Sequence, residues 1–424
     1  MKRVAVYSHS VAPSIDGVCR RYTAILHELV RQGYDVLLFT IETDPKDIPE
    51  GVTYVTLDYM IMPAYPGKKV VRPTWGVFGT IFRALQEYRP DCIHMTNDGV
   101  SNIFAACALM LGIPIVGAFH TDILQLLQRH GGTLFQQGCV YTKELTDSWL
   151  LDSCATTSKS FREKLAENYI SCQHIIVTAV DTQVFSASKA SSKLRSEMTF
   201  GDKKGFLCAY VGRISREKRI DVLIEAVQQI PGCYLAIVGD GPSASIYAKL
   251  HGKENRIFCR PQFLEHSELA EVYASCDLHV SASEFETLGN TVLEAHACGV
   301  PVVVPMAQGF CDTVHDKVDG FLFEPGNASS AMEYIVRFKE DNKLREKMGR
   351  AGLKAIQSNT IHRVVKDLLD WYALGIGNYE AKSAWTKFWG FILLLCLIPF
   401  SIFSLRCYSI LVSAPCSVRC CLSV

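Results

Sequence analysis

The chain has 424 residues, 43 basic against 43 acidic side chains, and 49% hydrophobic residues. That length asks for about two to three domains, and the apolar content supplies a sizeable core and argues against disorder. A formal net charge of zero removes the electrostatic reason to expect nucleic acid as a partner. The 17 cysteines stand singly apart from Cys420–Cys421, and no Cys-x-x-Cys pairs with a second one or with spaced histidines. No metal site is therefore predicted, and the unpatterned cysteines fit a reducing compartment as small buried hydrophobes.

From the start, apolar strand runs alternate with helix-period segments. The first strand is read at Val4–Ser8, followed by runs at Val36–Ile41, Cys92–Met95, Ile113–Phe119, Ala155–Thr157 and Ile175–Val177. Helical periodicity falls between them, at Arg20–Arg31, Gly76–Tyr88 and Asn102–Leu111. Such alternation predicts a parallel sheet with helices on both faces. No leader of the secretory or transit type precedes the first strand, so the catalytic domains are expected to face the cytosol.

A Ser- and Lys-rich stretch at 186–204 reads as a linker or an excursion. Alternation resumes with Phe206–Val211, the helix Ile220–Gln229, and runs at Tyr234–Val238, Asp277–Ser281, Pro301–Val304 and Gly320–Phe323. The expected domains are 1–185 and 205–358, both Rossmann-like, with a returning helix within 359–378. Residues 388–405 are almost wholly apolar, flanked by Lys387 and Arg406. They sit at the lower limit for crossing about 30 Å of hydrocarbon, so 385–413 is a candidate membrane segment. Packing of the same tail on the fold, or flat on a bilayer, stays open.

Ligands of open α/β sheets bind at the carboxyl ends of the strands. After the first strand, Gly17 opens a helix and could bring backbone amides to a phosphate, although a plain turn glycine is an equal reading. The turn is not Gly-x-Gly-x-x-Gly, which counts against a nicotinamide oxidoreductase. Past Val211, Arg213 and Lys218 offer a guanidinium and an ammonium to a diphosphate; a solvated basic turn is the plain alternative. Glu286 precedes a helix whose first amides, at Thr287, Leu288 and Gly289, can hold an anion. Glu294 lies about two turns further on, where a carboxylate needs a hydroxyl or a cation beside it. His120, after the strand Ile113–Phe119, points at the same end of its sheet, although a lone histidine is more often structural.

Taken in order, Gly212-Arg213-x4-Lys218, Val238-Gly239-Asp240-Gly241-Pro242 and Glu286-x7-Glu294 followed by Ala297-Cys298-Gly299-Val300-Pro301 resemble the retaining glycosyltransferases of family four. So do Phe119-His120-Thr121 and Gly320-Phe321-Leu322-Phe323-x-Pro325-Gly326. The resemblance covers roughly residues 3–375 and implies the GT-B fold, two Rossmann-like domains facing a cleft. Within the family, Arg89-Pro90-Asp91-x-Ile93-His94, Pro114–Thr121 and Ser283-x3-Thr287-Leu288-Gly289 are most like the sulfoquinovosyl-transferring branch. Mannosyltransferases acting on phosphatidylinositol match less well.

The resemblance implies a catalytic set of His120, Arg213, Lys218 and Glu286. Donor binding would fall to Gly17, Asp240, Thr287, Leu288, Gly289 and Glu294, with no bound metal or cofactor. It implies a nucleotide-sugar donor and, with the apolar tail, a lipid acceptor at a membrane. Two stretches depart from the family pattern: Ala179-Val180-Asp181 stands where Gly-Val-Asp is common, and Gln308-Gly309-Phe310-Cys311-Asp312 where Gly-Gly-x-Pro-Asp is. A tethered nucleotide-binding protein without activity remains the reading of a different class.

Overall fold

The computed structural model describes residues 1–390 apart from 12–16, 42, 62–68, 97–100, 130–132 and 388–389. It divides into two compact units: residues 1–157, 162–176 and 365 onward form unit 1, and residues 158–161 with 177–364 form unit 2.

Unit 1 is built on β1 (Arg3–Tyr7), β2 (Asp35–Thr40), β3 (Val52–Thr56), β6 (Cys92–Thr96), β7 (Ile115–Phe119), β8 (Ser153–Thr156) and β9 (His174–Ile175). Between β3 and β6 the short strands β4 (Tyr59–Ile61) and β5 (Lys69–Val71) pair antiparallel as a separate hairpin. The seven-stranded sheet has the order β3-β2-β1-β6-β7-β8-β9, parallel throughout. Strands β6 and β7 are buried at every position, as strands covered by helices on both faces must be. The order reverses direction at β1, so the ends of β1 and β6 flank the site where such sheets bind ligands.

Unit 2 repeats the plan with β10 (Phe206–Val211), β11 (Cys233–Gly239), β12 (Ile257–Pro261), β13 (Leu278–Val280), β14 (Val302–Pro305) and β15 (Gly320–Phe323). Its order is β12-β11-β10-β13-β14-β15, again parallel. Two apolar clusters, one on each face, hold the helices to this sheet. The Ser- and Lys-rich stretch is not a bare connector. It carries the helix Ser192–Met198, capped by the Ser191 hydroxyl on the Leu194 amide, with Leu194 and Met198 buried in the core of unit 2.

The last described long helix, Ile361–Ala381, starts in unit 2 and enters unit 1 at Val365. There it buries Trp371 and Tyr372, and the Trp371 indole N–H donates to the Ser153 hydroxyl at 2.9 Å. Nearly all of the candidate membrane segment 385–413 lies outside the described residues. Among the described residues, no helix is long and apolar enough to cross a membrane.

Candidate active site

In unit 2 the candidate residues gather at the carboxyl ends of β10, β11 and β13. The loops after β10 and β11 are laced together by backbone hydrogen bonds: Gly212 N–H to Val238 O (3.0 Å), Ile214 N–H to Asp240 O (2.8 Å) and Ser243 N–H to Ile214 O (3.0 Å). This contact needs glycine. Gly239 has φ +140°, and a Cβ there would lie 1.9 Å from the Gly212 carbonyl oxygen, far inside any allowed approach. The exposed carboxylate of Asp240 turns back to accept from the Gly241 amide at 2.7 Å.

The cations that follow β10 differ in their surroundings. Arg213 is exposed, and its carbonyl accepts from the Tyr210 hydroxyl at 2.7 Å. Lys218 reaches across to the loop after β13, where its Nζ pairs with Glu286 Oε1 at 2.5 Å and donates to the Ser283 hydroxyl at 3.4 Å. The ammonium and carboxylate side chains are 18% and 26% exposed, so solvent reaches both. The two groups are 68 residues apart in sequence and meet because β10 and β13 are neighbours.

Beyond Glu286 the chain turns at Gly289 (φ +85°) into the helix Asn290–Ala297. Loop 308–312 lies against this turn: Gly309 donates to the Glu286 carbonyl at 2.8 Å, and a Cβ at Gly309 would meet the Leu288 amide nitrogen at 2.5 Å. Asn290 Oδ1 is buried without a hydrogen-bond partner, beside the helix start. About one turn into the helix, Glu294 Oε2 accepts from the Tyr273 hydroxyl at 2.9 Å, the hydroxyl partner that a carboxylate on an apolar helix requires. Asp312, in the departing segment, accepts from the Ser160 amide and hydroxyl at 2.7 and 2.6 Å. That carboxylate therefore serves as a clamp inside unit 2.

In unit 1 Gly17 opens the helix Gly17–Arg31, and the residues just before it, 12–16, lie outside the described ones. His120, half-buried after β7, is gripped on both ring nitrogens: Arg21 Nη1 lies 3.1 Å from Nδ1 and the Tyr22 hydroxyl 2.8 Å from Nε2. Tyr22 also lies 2.8 Å from His94 Nε2, and His94 Nδ1 is 2.5 Å from the Tyr372 hydroxyl. Burial drives the His94 imidazole down to about 3 and, against the opposing pull of Tyr22, the Arg21 guanidinium down to about 10. These partners are absent from the sequence-derived set. The signal for one of them was a histidine inside the otherwise apolar strand β6. Among the described residues, no group of three or more His, Cys, Asp or Glu is placed to hold a metal ion.

The family model described as Glycosyltransferase Family 4 matches residues 15–184, and that described as Glycosyl transferases group 1 matches residues 195–355. The chain is 27% identical to sulfoquinovosyl transferase SQD2 of Arabidopsis thaliana over 82% of this chain and 69% of that protein. It is 28% identical to the GDP-mannose-dependent alpha-mannosyltransferase of Corynebacterium glutamicum, over 88% of each. Among solved structures, sucrose-phosphate synthase from Thermosynechococcus elongatus is similar with a TM-score of 0.70, covering 88% of this chain and 98% of that one at 20% identity. The fold is therefore GT-B in its two Rossmann-like units, and the chain belongs to the family-four glycosyltransferases.

Proposed function

We propose that the enzyme transfers a hexose, with retention, from a nucleoside-diphosphate sugar to a lipid such as diacylglycerol, with a UDP-sugar as donor. The observation that carries this reading is the Lys218–Glu286 pair at 2.5 Å beside the amide-rich turn Thr287–Gly289. In this reading the diphosphate draws the Lys218 ammonium and the Arg213 guanidinium, which leaves the Glu286 carboxylate for sugar hydroxyls. Glu294, already accepting from Tyr273, takes the ribose hydroxyls. Asp240 and the turn amides contribute to donor binding within unit 2, and Gly17 and His120 are the candidate sugar-binding residues of unit 1. The bond from the anomeric carbon to the phosphate oxygen breaks as the bond to the acceptor oxygen forms on the same face. The acceptor proton passes to the departing phosphate, whose growing charge the two cations stabilise. No metal or other cofactor enters this scheme.

The apolar stretch 388–405 supports the lipid acceptor, because a tail held at a bilayer keeps the enzyme where such acceptors are. A second donor, GDP-mannose, is favoured by the likeness to the GDP-mannose-dependent mannosyltransferase; the acceptor proposed with it is phosphatidylinositol. The test is turnover of UDP- and GDP-sugars with diacylglycerol and phosphatidylinositol in vesicles, with and without residues 384–424. Transfer from UDP-sulfoquinovose or another UDP-hexose to diacylglycerol is expected, with vesicle binding lost on truncation. Transfer from GDP-mannose alone would move the protein to the second reading. Tight nucleotide binding without any turnover would refute both in favour of a binding protein.

A further inference from the structure

The hydrogen bonds around His120 have a single consistent direction. A guanidinium has donors only, so His120 Nδ1, 3.1 Å from Arg21 Nη1, must accept. The proton of a neutral ring then sits on Nε2 and is donated to the Tyr22 oxygen, 2.8 Å away. A phenol has one proton, and Tyr22 gives it to His94 Nε2 at 2.8 Å. His94 consequently carries its proton on Nδ1 and donates it to Tyr372 at 2.5 Å. Every member from Arg21 to Tyr372 belongs to unit 1, and Tyr22, His94 and Tyr372 are fully buried. Aromatic edges reinforce the line: Tyr22 meets His120 at 89° with centroids 5.4 Å apart, and Trp371 meets His94 at 89° and 5.2 Å. Such buried hydrogen-bonded networks are rigid, because each broken bond would leave a desolvated polar atom.

We propose that Tyr22 is a positioning residue: with Arg21 it fixes the imidazole of His120 in the Nε2–H tautomer and anchors it, through His94, to Tyr372 on the last helix. Both ring nitrogens are engaged, so His120 contributes a fixed orientation at the end of β7 and takes no proton from the acceptor. The inference rests on His120 belonging to the sugar-binding share of unit 1, but its first test needs no substrate.

The experiment is 15N NMR of the histidine rings in the full chain, with His120 assigned from the loss of its signals in His120→Gln. The expected pattern is an unprotonated Nδ1 and a protonated Nε2, unchanged across about pH 6 to 8. A His120 with its proton on Nδ1, or one that titrates in that window, overturns the proposal. Two variants then separate positioning from folding. Tyr22→Phe keeps the ring and removes the shared hydroxyl; Arg21 still donates to Nδ1, so the tautomer should persist while the ring loses its anchor, and kcat should fall about tenfold, with KM for the donor within about twofold. Arg21→Met should release the tautomer, whereas Arg21→Gln, which still offers an N–H, should restore it. If Tyr22→Phe leaves kcat at the wild-type value, if Arg21→Met keeps the single tautomer, or if Arg21→Gln fails where Arg21→Met does, the line does not control His120. Because the spectra require no donor, they decide this point even where no sugar is transferred.

Discussion

Replacing Lys218 with alanine separates chemistry from stability. The ammonium makes one ion pair with Glu286 and one long hydrogen bond to Ser283. Side-chain exposures of 18% and 26% leave both partners within reach of water, so Glu286 can hydrate once Lys218 is gone. Pairs of this kind contribute about 1 kcal/mol or less. For a unit of this size, that is a fall in Tm of about 2–4 °C. Loss of a cation aimed at a leaving group is a different magnitude, about a hundred- to a thousand-fold in rate, or about 3–4 kcal/mol. Thermal unfolding and initial-rate transfer with the preferred donor measure the two quantities on the same preparation. A Tm drop beyond about 8 °C would mean that the pair holds the loops together, and a rate within about threefold of wild type would remove Lys218 from leaving-group stabilisation.

Three other substitutions probe different layers. Glu294→Gln keeps the shape but loses the charge that Tyr273 supports at 2.9 Å; nucleotide affinity by calorimetry should weaken about tenfold with kcat little changed, and an unaltered affinity would take Glu294 out of ribose binding. Gly239→Ala places a Cβ 1.9 Å from the Gly212 carbonyl oxygen at φ +140°, so it should destabilise by more than about 2 kcal/mol; a melt matching wild type would show that the crossing can open. Glu144 is pushed by burial from 4.5 up to about 8, so between those values the folded chain keeps a proton that the unfolded chain has released. Stability falls as pH rises through that window, by up to about 1.4 kcal/mol per unit, and Glu144→Gln should abolish that slope. Parallel stability curves for the two proteins from about pH 5 to 8 would refute the burial argument.

The central strands were legible because burial on both faces leaves unbroken apolar runs, as at Phe206–Val211 and Val302–Pro305. Two of the four edge strands, β3 and β12, were not. Val52–Thr56 has no fully buried position and Ile257–Pro261 alternates buried with wetter ones, so neither gives such a run. The helix Ser192–Met198 hid inside a polar stretch because only Leu194 and Met198 face the core. Spacing made Glu286 and Glu294 visible as a pair on one loop and helix. The partners they use, Lys218 and Tyr273, come from other elements, and only the order of strands in the sheet brings them near. The line from His120 to Tyr372 shows this most clearly, since His94 and Tyr372 are 278 residues apart and no local pattern links them.

Unit 2 also explains why family membership could be read from so few residues. Its strand-end loops are positioned by backbone crossing backbone: Gly239 over Gly212, Gly241 over Ile214, and Gly309 over the 286–288 segment. At such crossings any side chain is too large, so these positions require glycine. This divides the expected effects of mutation: changes at the crossing glycines should cost fold and activity together, while changes at Arg213, Lys218, Glu286 and Glu294 should cost activity and leave the fold. Asp312 marks the boundary, a charged residue in the segment that departs from the family pattern, whose carboxylate is committed to Ser160. It should therefore behave on substitution as the glycines do, losing stability before specificity.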